Sequence, residues 1–526
     1  MMPARRPAMV AAAVSIVLSA AVTLLMLWPA LSPGYLLYRD FVTVPDPTLS
    51  PRTWGYDGSA PRAVPLDALM AWCDPVVPTW LQQKMILLGS LWLGGAGVAV
   101  LLRHRGPLVA GLGGVVGTWS PYPAERLLLG QAPTLLAWSM LPWLVAASIR
   151  PGRPRRRVAL VVLAAVPAAL TPTGGLTAAC AAVALSVLAG RSRGETGAVM
   201  GLGVAWCLPW LVPALGGRTG AGDSAGAAAF RVDSTGPSGV LDILTGGGVW
   251  AEGARLASRD EPAAVAAMTL LLLLAALGTM HCGHSRRRLL WLGLVVPPVL
   301  VLLLASPIGL PAFAAAQSVP GVALFRDTHR LLAISAFAFA VAVPLGVGRL
   351  VDLAHQRVGE GQTGVARRAV VAGAVCAGAA VVLLASPDAP MRLRQAYVPV
   401  DFPPDWSSAV ALVAGDRTLV LPWQPMRLTP WNGDRPFLDP LPRALPGDVI
   451  AASDLVVERD GEWFEVGSSD PSAATGWREG RIEPTELGRL GITKVVEWRQ
   501  SPGVTAAAGR LRLLSETSTF RIWGVP

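Results

Sequence analysis

The feature that most constrains this chain is where its charges are not. Eleven apolar stretches, at roughly 9–30, 85–102, 108–118, 132–149, 158–170, 176–190, 197–215, 263–280, 289–305, 331–348 and 369–385, contain no aspartate, glutamate, lysine, arginine or histidine. All 44 basic residues, 34 acidic residues and five histidines fall between or beyond them. Crossing a bilayer means passing about 30 Å of hydrocarbon, where an ionised side chain is costly. The pattern is that of a polytopic α-helical membrane protein with about eleven transmembrane helices. Charged residues make up 15% of the chain, against the roughly 25% that keeps a soluble domain hydrated.

The charges between the stretches set an orientation. With residue 1 inside and the spans alternating, the inside segments hold 18 Lys/Arg in 55 residues and the outside loops 11 in 144. That asymmetry is the one the positive-inside rule requires. It predicts a cytoplasmic N-terminus and an extracytoplasmic tail in the cytoplasmic membrane, with 9–30 read as a retained span. The net charge of +10 is then a product of topology, because basic residues gather at the inside ends of the spans. A nucleic-acid partner needs them on one soluble face and is excluded. Proton relays and ion-coupled carriers place ionisable groups at membrane depth, so a pump or channel is disfavoured and chemistry is expected at the membrane surface. The five cysteines show neither paired nor ligand spacing, which gives no metal site.

Two parts follow: a membrane domain over 1–388, with extracytoplasmic loops 31–84, 119–131, 216–262 and 306–330, and a soluble extracytoplasmic α/β domain over 396–526. In the tail a helix is expected after Pro403, and strands over 417–422, 492–498 and 519–525 from their β-branched and aromatic content.

The outer loops carry charge beside apolar sequence at the span entrances. Directly after the first span come Arg39-Asp40, with Asp46 six residues on; further along come Glu125-Arg126 and the cluster Arg326-Asp327-Thr328-His329-Arg330. Moving a lipid-linked phosphosugar needs a carboxylate to take a proton from the acceptor hydroxyl and arginine to neutralise the phosphate leaving group. Asp40 is the candidate base, and Arg126, Arg326 and Arg330 are the candidate phosphate ligands. Arg39, Asp46, Glu125, Asp327 and His329 are further candidates. Trp423 and Trp431, in a proline-rich stretch of the tail, could stack a sugar ring, although packing is the commoner use of an indole.

These features together resemble the GT-C superfamily of polyprenyl-phosphate-dependent glycosyltransferases: an acid just after the first span, about eleven spans, and an external α/β tail. The loop Glu125-Arg126-Leu127-Leu128-Leu129-Gly130-Gln131 and the segment 325–330 are similar to segments of actinobacterial arabinofuranosyltransferase-like membrane proteins, as is 490–496 near the end. The resemblance implies a GT-C-like fold. It also implies transfer of a sugar from a polyprenyl-phosphate donor to a cell-envelope glycan or glycolipid acceptor, with Asp40 as base and the outer arginines on the donor phosphate. No cofactor is implied beyond a divalent metal that the resemblance leaves open; Asp40 is followed by Phe41, and there is no tight acidic pair after the first span. The second reading is a non-catalytic cell-envelope assembly or lipid/glycan carrier protein. The enzyme reading requires Asp40 to lie within about 10 Å of one of the arginines, the reach of two side chains and a phosphate joined by hydrogen bonds, and a cavity open both to lipid and to the external domain.

Overall fold

The computed structural model describes residues 5–57, 63–216, 223–280, 282–319, 321–358, 364–459, 461–467, 474–503 and 511–526. Each of the eleven apolar stretches forms a helix. Prolines in the first turn open those at Pro107–Thr118, Ala132–Ser148, Pro154–Ala165 and Pro172–Leu188, where the missing N–H has no intrahelical partner to lose. Among the described residues, six helices are long and apolar enough to cross a membrane, or seven if the bent pair Ala369–Leu384 and Ala389–Ala396 counts as one span. The protein is thus a multi-pass membrane protein. Six or seven spans, rather than eleven, satisfy the length criterion. The helices Pro107–Thr118 and Pro154–Ala165 have 12 residues each, or about 18 Å of rise, short of the hydrocarbon thickness.

The bundle is closed by small residues. A Cβ on Gly278 would stand 1.9 Å from the Ala342 carbonyl oxygen, and one on Gly346 would stand 2.0 Å from that of Leu274. The helices Pro262–Met280 and Ala333–Val358 therefore cross backbone to backbone, the contact that drives helix association where no hydrophobic effect operates between spans.

The tail carries a five-stranded sheet in the order Val449–Ile450, Thr418–Leu421, Lys494–Trp498, Phe520–Gly524, Arg512–Glu516. The first three strands are parallel and the last two antiparallel. Side-chain alternation builds a core on each face. Val420, Val496 and Ile522 pack with Trp406 and Val413, while Leu419, Leu421 and Val495 pack with Trp477 and Leu487. Strands and helix fall where the composition of 403–422, 492–498 and 519–525 placed them.

The tail is bonded into the segment that follows the first helix. Tyr35 and Val400 exchange backbone hydrogen bonds of 2.8 and 2.9 Å, Arg39 N donates to Pro436 O at 2.6 Å, and Leu438 N donates to Arg39 O at 2.8 Å. The Asn432 amide donates to Leu37 O at 3.0 Å. From the membrane side, Gln83 at the start of Thr79–Leu102 accepts from Leu36 N at 2.9 Å and donates to Leu36 O at 2.8 Å and Phe41 O at 3.2 Å. The segment 35–41 is gripped from both sides.

Candidate functional site

Asp40 sits at the tip of this gripped segment. Tyr38 and Phe41 pair across a tight two-residue turn in which Arg39 takes a left-handed φ of 48°. The Asp40 carboxylate is exposed and Arg39 is half-buried. Beneath the turn lies Gly130, at φ 76°, where a Cβ would come within 2.6 Å of Asp40 N and 2.7 Å of Tyr38 O. Only glycine lets the loop after the short helix Pro121–Leu128 come this close.

The next residue makes the connection. Gln131 Nε2 donates to Asp40 Oδ2 at 3.3 Å, and its Oε1 accepts from the Arg126 guanidinium and, at 3.5 Å, from Arg330 Nη2. One side-chain amide thus spans from Asp40 to two of the candidate arginines, inside the reach that the enzyme reading requires. Gln131 has no charge to mark it in the sequence, and its bridging becomes visible only when three separated loops converge.

Below the amide is a buried ionic layer. Arg126, 1% exposed, donates to Asp327 Oδ2 at 2.7 Å and lies 3.5 Å from His329 Nδ1. Arg330 Nε lies 3.3 Å from the same Asp327 oxygen and remains partly exposed. Burial alone would raise the Asp327 carboxyl, but Arg126 and Arg330 beside it bring it down to about 2. The Arg126 guanidinium, which burial would weaken, is held above its ordinary value by Asp327. Tyr122 stacks on His329 with ring centroids 5.3 Å apart, and burial pushes its hydroxyl up to about 12. Glu125, fully buried, accepts from Val249 N at 3.0 Å and Leu256 N at 3.3 Å and lies 3.5 Å from His329 Nε2.

The structure therefore brings together Asp40, Glu125, Arg126, Asp327, His329 and Arg330, holds Arg39 in the same turn with its guanidinium 5.7 Å from the Tyr38 ring centroid, and leaves the other candidates apart. Arg326 turns away and lies over the Phe230 ring at 4.8 Å; the cation–π contact takes the guanidinium the phosphate reading needed. Asp46 is exposed on its own turn at φ 47°. Trp423 is 7% exposed and packs on Trp477 at 4.9 Å, so its indole is part of the tail core. Trp431 packs between Phe402 and Phe437 at 5.8 and 5.5 Å. Arg126 itself is enclosed by protein partners and acts as a foundation for the residues above it. Among the described residues, no group of three or more His, Cys, Asp and Glu side chains could hold a metal ion.

A second cluster lay outside the sequence reading. Arg259, fully buried, is paired with Asp242 and donates to the Ala385 carbonyl at 3.0 Å and Ser386 Oγ at 3.1 Å. Arg255 donates to both Asp260 oxygens at 2.6 and 2.8 Å, to Ser238 Oγ at 2.7 Å and to Asp242 Oδ2 at 3.2 Å. In sequence these residues look like ordinary solvated loop charges.

No family model matches the sequence, and neither does any curated protein. The fold does match solved structures. The mycobacterial arabinofuranosyltransferase AftD, determined by single-particle cryo-EM, is 16% identical over 99% of this chain with a TM-score of 0.58. Its R1389S mutant gives the same identity, coverage of this chain and score. The chain spans about 40% of the length of these structures. An oligosaccharyltransferase of Archaeoglobus fulgidus, 12% identical with a TM-score of 0.40, adds nothing to that likeness. The chain has a GT-C-like fold.

Proposed function

We propose that the protein is a membrane glycosyltransferase that moves a sugar from a polyprenyl-phosphate donor to a cell-envelope glycan or glycolipid at the outer face of the cytoplasmic membrane. Its N-terminus is then cytoplasmic and its tail extracytoplasmic. The observation that carries the reading is the chain of contacts from exposed Asp40 through Gln131 to Arg126 and Arg330. In the reaction, the Asp40 carboxylate takes the proton of the acceptor hydroxyl as that oxygen bonds to the anomeric carbon. The bond from that carbon to the donor phosphate breaks, and the phosphate leaves with the electron pair. Arg330, partly exposed and joined to Asp40 through the Gln131 amide, neutralises the developing charge. Arg126, Asp327, His329 and Glu125 hold these groups in register and do not touch the substrate.

The test is sugar release from labelled polyprenyl-phosphate donors by the purified protein and its Asp40→Asn variant. Turnover by the wild type and its loss in the variant is the expected result. Equal turnover by both removes Asp40 from the mechanism. Turnover by neither, across the donors tried, favours the assembly or carrier reading.

A further inference from the structure

The helix Ala132–Ser148 runs from the proposed site to a second charged region. Gln131 precedes its first turn. At its other end Arg191 donates twice to Ser148 O, at 3.1 and 2.6 Å, and Arg157 donates to Arg150 O at 3.0 Å. Seventeen residues separate the ends, or about 25 Å of rise. Here a groove of about 920 Å³ opens between the helices Pro154–Ala165 and Arg193–Gly216. Its mouth carries Arg155, Ser192 and Glu195, and its floor and walls are apolar, among them Ala159, Val162, Leu163 and Ala198. Leu163 is 69% exposed, a surface that faces hydrocarbon in a membrane protein.

The charge at the mouth is one-sided. Glu195 is consumed by a bidentate pair with Arg157, Nη2 to Oε2 at 2.6 Å, and both are buried. Arg155 lines the groove, its chain neighbours Arg153 and Arg156 and the first helical residue Arg193 are exposed, and there is no second acid among residues 150–196. A basic rim over an apolar groove between membrane helices is complementary to an anionic headgroup with its acyl chain. The volume is also in the range of a small-molecule site.

We propose that this groove binds one anionic phospholipid, with the headgroup phosphate on the Arg155–Arg156 rim and an acyl chain along Ala159, Val162 and Ala198. The Arg157–Glu195 pair fixes the two helices at the spacing the chain needs. The site stands apart from the proposed transfer reaction and does not depend on it.

The test is native mass spectrometry of the full chain, released from micelles doped with equal phosphatidylglycerol and phosphatidylcholine. The wild type should retain one phosphatidylglycerol with a preference of about ten-fold or more, the order expected from several arginines at a membrane surface. Arg155→Gln with Arg156→Gln should bring retention to near parity, and the Lys/Lys variant should keep the preference. Ala159→Trp, which fills the groove, should lose the bound lipid. If that variant fails to fold by gel filtration, Ala198→Trp blocks the same space from the other wall. Equal retention of both lipids by the wild type overturns the proposal, as does phosphatidylglycerol bound unchanged after the groove is filled. Displacement by added polyprenyl phosphate at lower concentration also overturns it, because the groove would then be a second donor site.

Discussion

Two neighbouring clusters use the same residue types and are built to opposite ends. Around Arg259 and Arg255, every acid has an arginine and most donors have an acceptor: Asp242, Asp260 and Ser238 are all occupied within the protein. Around Asp40, the deep layer of Arg126 and Asp327 is ion-paired as well, but Asp327 Oδ1 and His329 Nε2 within it make no hydrogen bond, and the top is more open still. Asp40 is exposed with an uncharged amide 3.3 Å from its carboxylate, while Arg39 Nε and Arg330 Nε, the latter facing Asp327 at 3.3 Å, make no hydrogen bond. A saturated ionic network holds loops together. An unsaturated one that opens to the surface is where a substrate can supply the missing partners. Arginine and carboxylate content does not separate the two; the distribution of unsatisfied groups does.

The sharpest way to break this contrast is a pair of substitutions. Asp40→Asn should lower turnover by about 10²–10⁴-fold, the usual contribution of a positioned general base, and leave thermal stability nearly unchanged because the side chain is exposed. Arg259→Met should do the reverse. It takes one of two guanidiniums from the fully buried Asp242 carboxylate and leaves Arg255 at 3.2 Å, a cost of about 3 kcal/mol at the low end for a broken buried pair, and it releases the end of Gly364–Leu384 from the loop through Ala385 and Ser386. Thermal melting in detergent beside the turnover assay separates the two outcomes. A stable Arg259→Met protein with no activity would erase the distinction.

Gly130→Ala sharpens the same comparison at the level of the backbone. The added Cβ meets Asp40 N at 2.6 Å and Tyr38 O at 2.7 Å, and the residue must also hold a left-handed φ. The two together cost about 1–3 kcal/mol. Relief would come by displacing the turn, so turnover should fall more than stability does. A melting temperature lowered with turnover unchanged would mean the position of Asp40 is not critical.

The buried base of the site makes a pH prediction. Asp327 is ionised in the folded protein down to about 2, below the ordinary value of 3.8. A depressed carboxyl contributes stability that is full above the unfolded value and is lost as pH falls through the folded one. Between about pH 4 and 2, wild type should lose about 2 kcal/mol from this source. Melting curves of wild type and Asp327→Asn should therefore converge on acidification. Parallel curves would mean that Arg126 and Arg330 do not hold the carboxylate as the geometry indicates.

How far the sequence carries can be judged on these residues. The apolar stretches, the tail strands and the charged span entrances are legible because hydration and side-chain alternation are local rules. Helix length was less so: the apolar stretches 108–118 and 158–170, already short for spans, lie on the helices Pro107–Thr118 and Pro154–Ala165, which stop after 12 residues ahead of Pro121 and Pro167. In the site, Asp40, Arg126 and Arg330 were legible as charge beside apolar sequence. Arg326, four residues before Arg330, carries the same signal, and only the turn into Thr328–Leu332 decides that one faces Phe230 and the other faces Gln131. Gln131, Gln83 and Asn432 carry no charge, and their roles arise from contacts between segments far apart in the chain. Trp423 misled because an indole in a proline-rich stretch looks the same whether its partner is a sugar or Trp477.

The smallest expected effect tests the segment after the first helix against itself. Asp46 lies six residues from Asp40, beyond the buried run 41–44, and is likewise exposed, in a left-handed turn at φ 47°. No hydrogen bond or ion pair of its side chain ties it to the Gln131 bridge, and its neighbours Pro45 and Pro47 fix the backbone on either side. Glycine adopts this φ without the Cβ penalty but loosens the unfolded chain. Asp46→Gly should therefore change stability by less than about 1 kcal/mol and leave turnover where it was. If Asp46→Gly cost as much activity as Asp40→Asn, net negative charge on the loop would be the operative property, and the contact chain through Gln131 would lose its standing as the reason Asp40 is placed where it is.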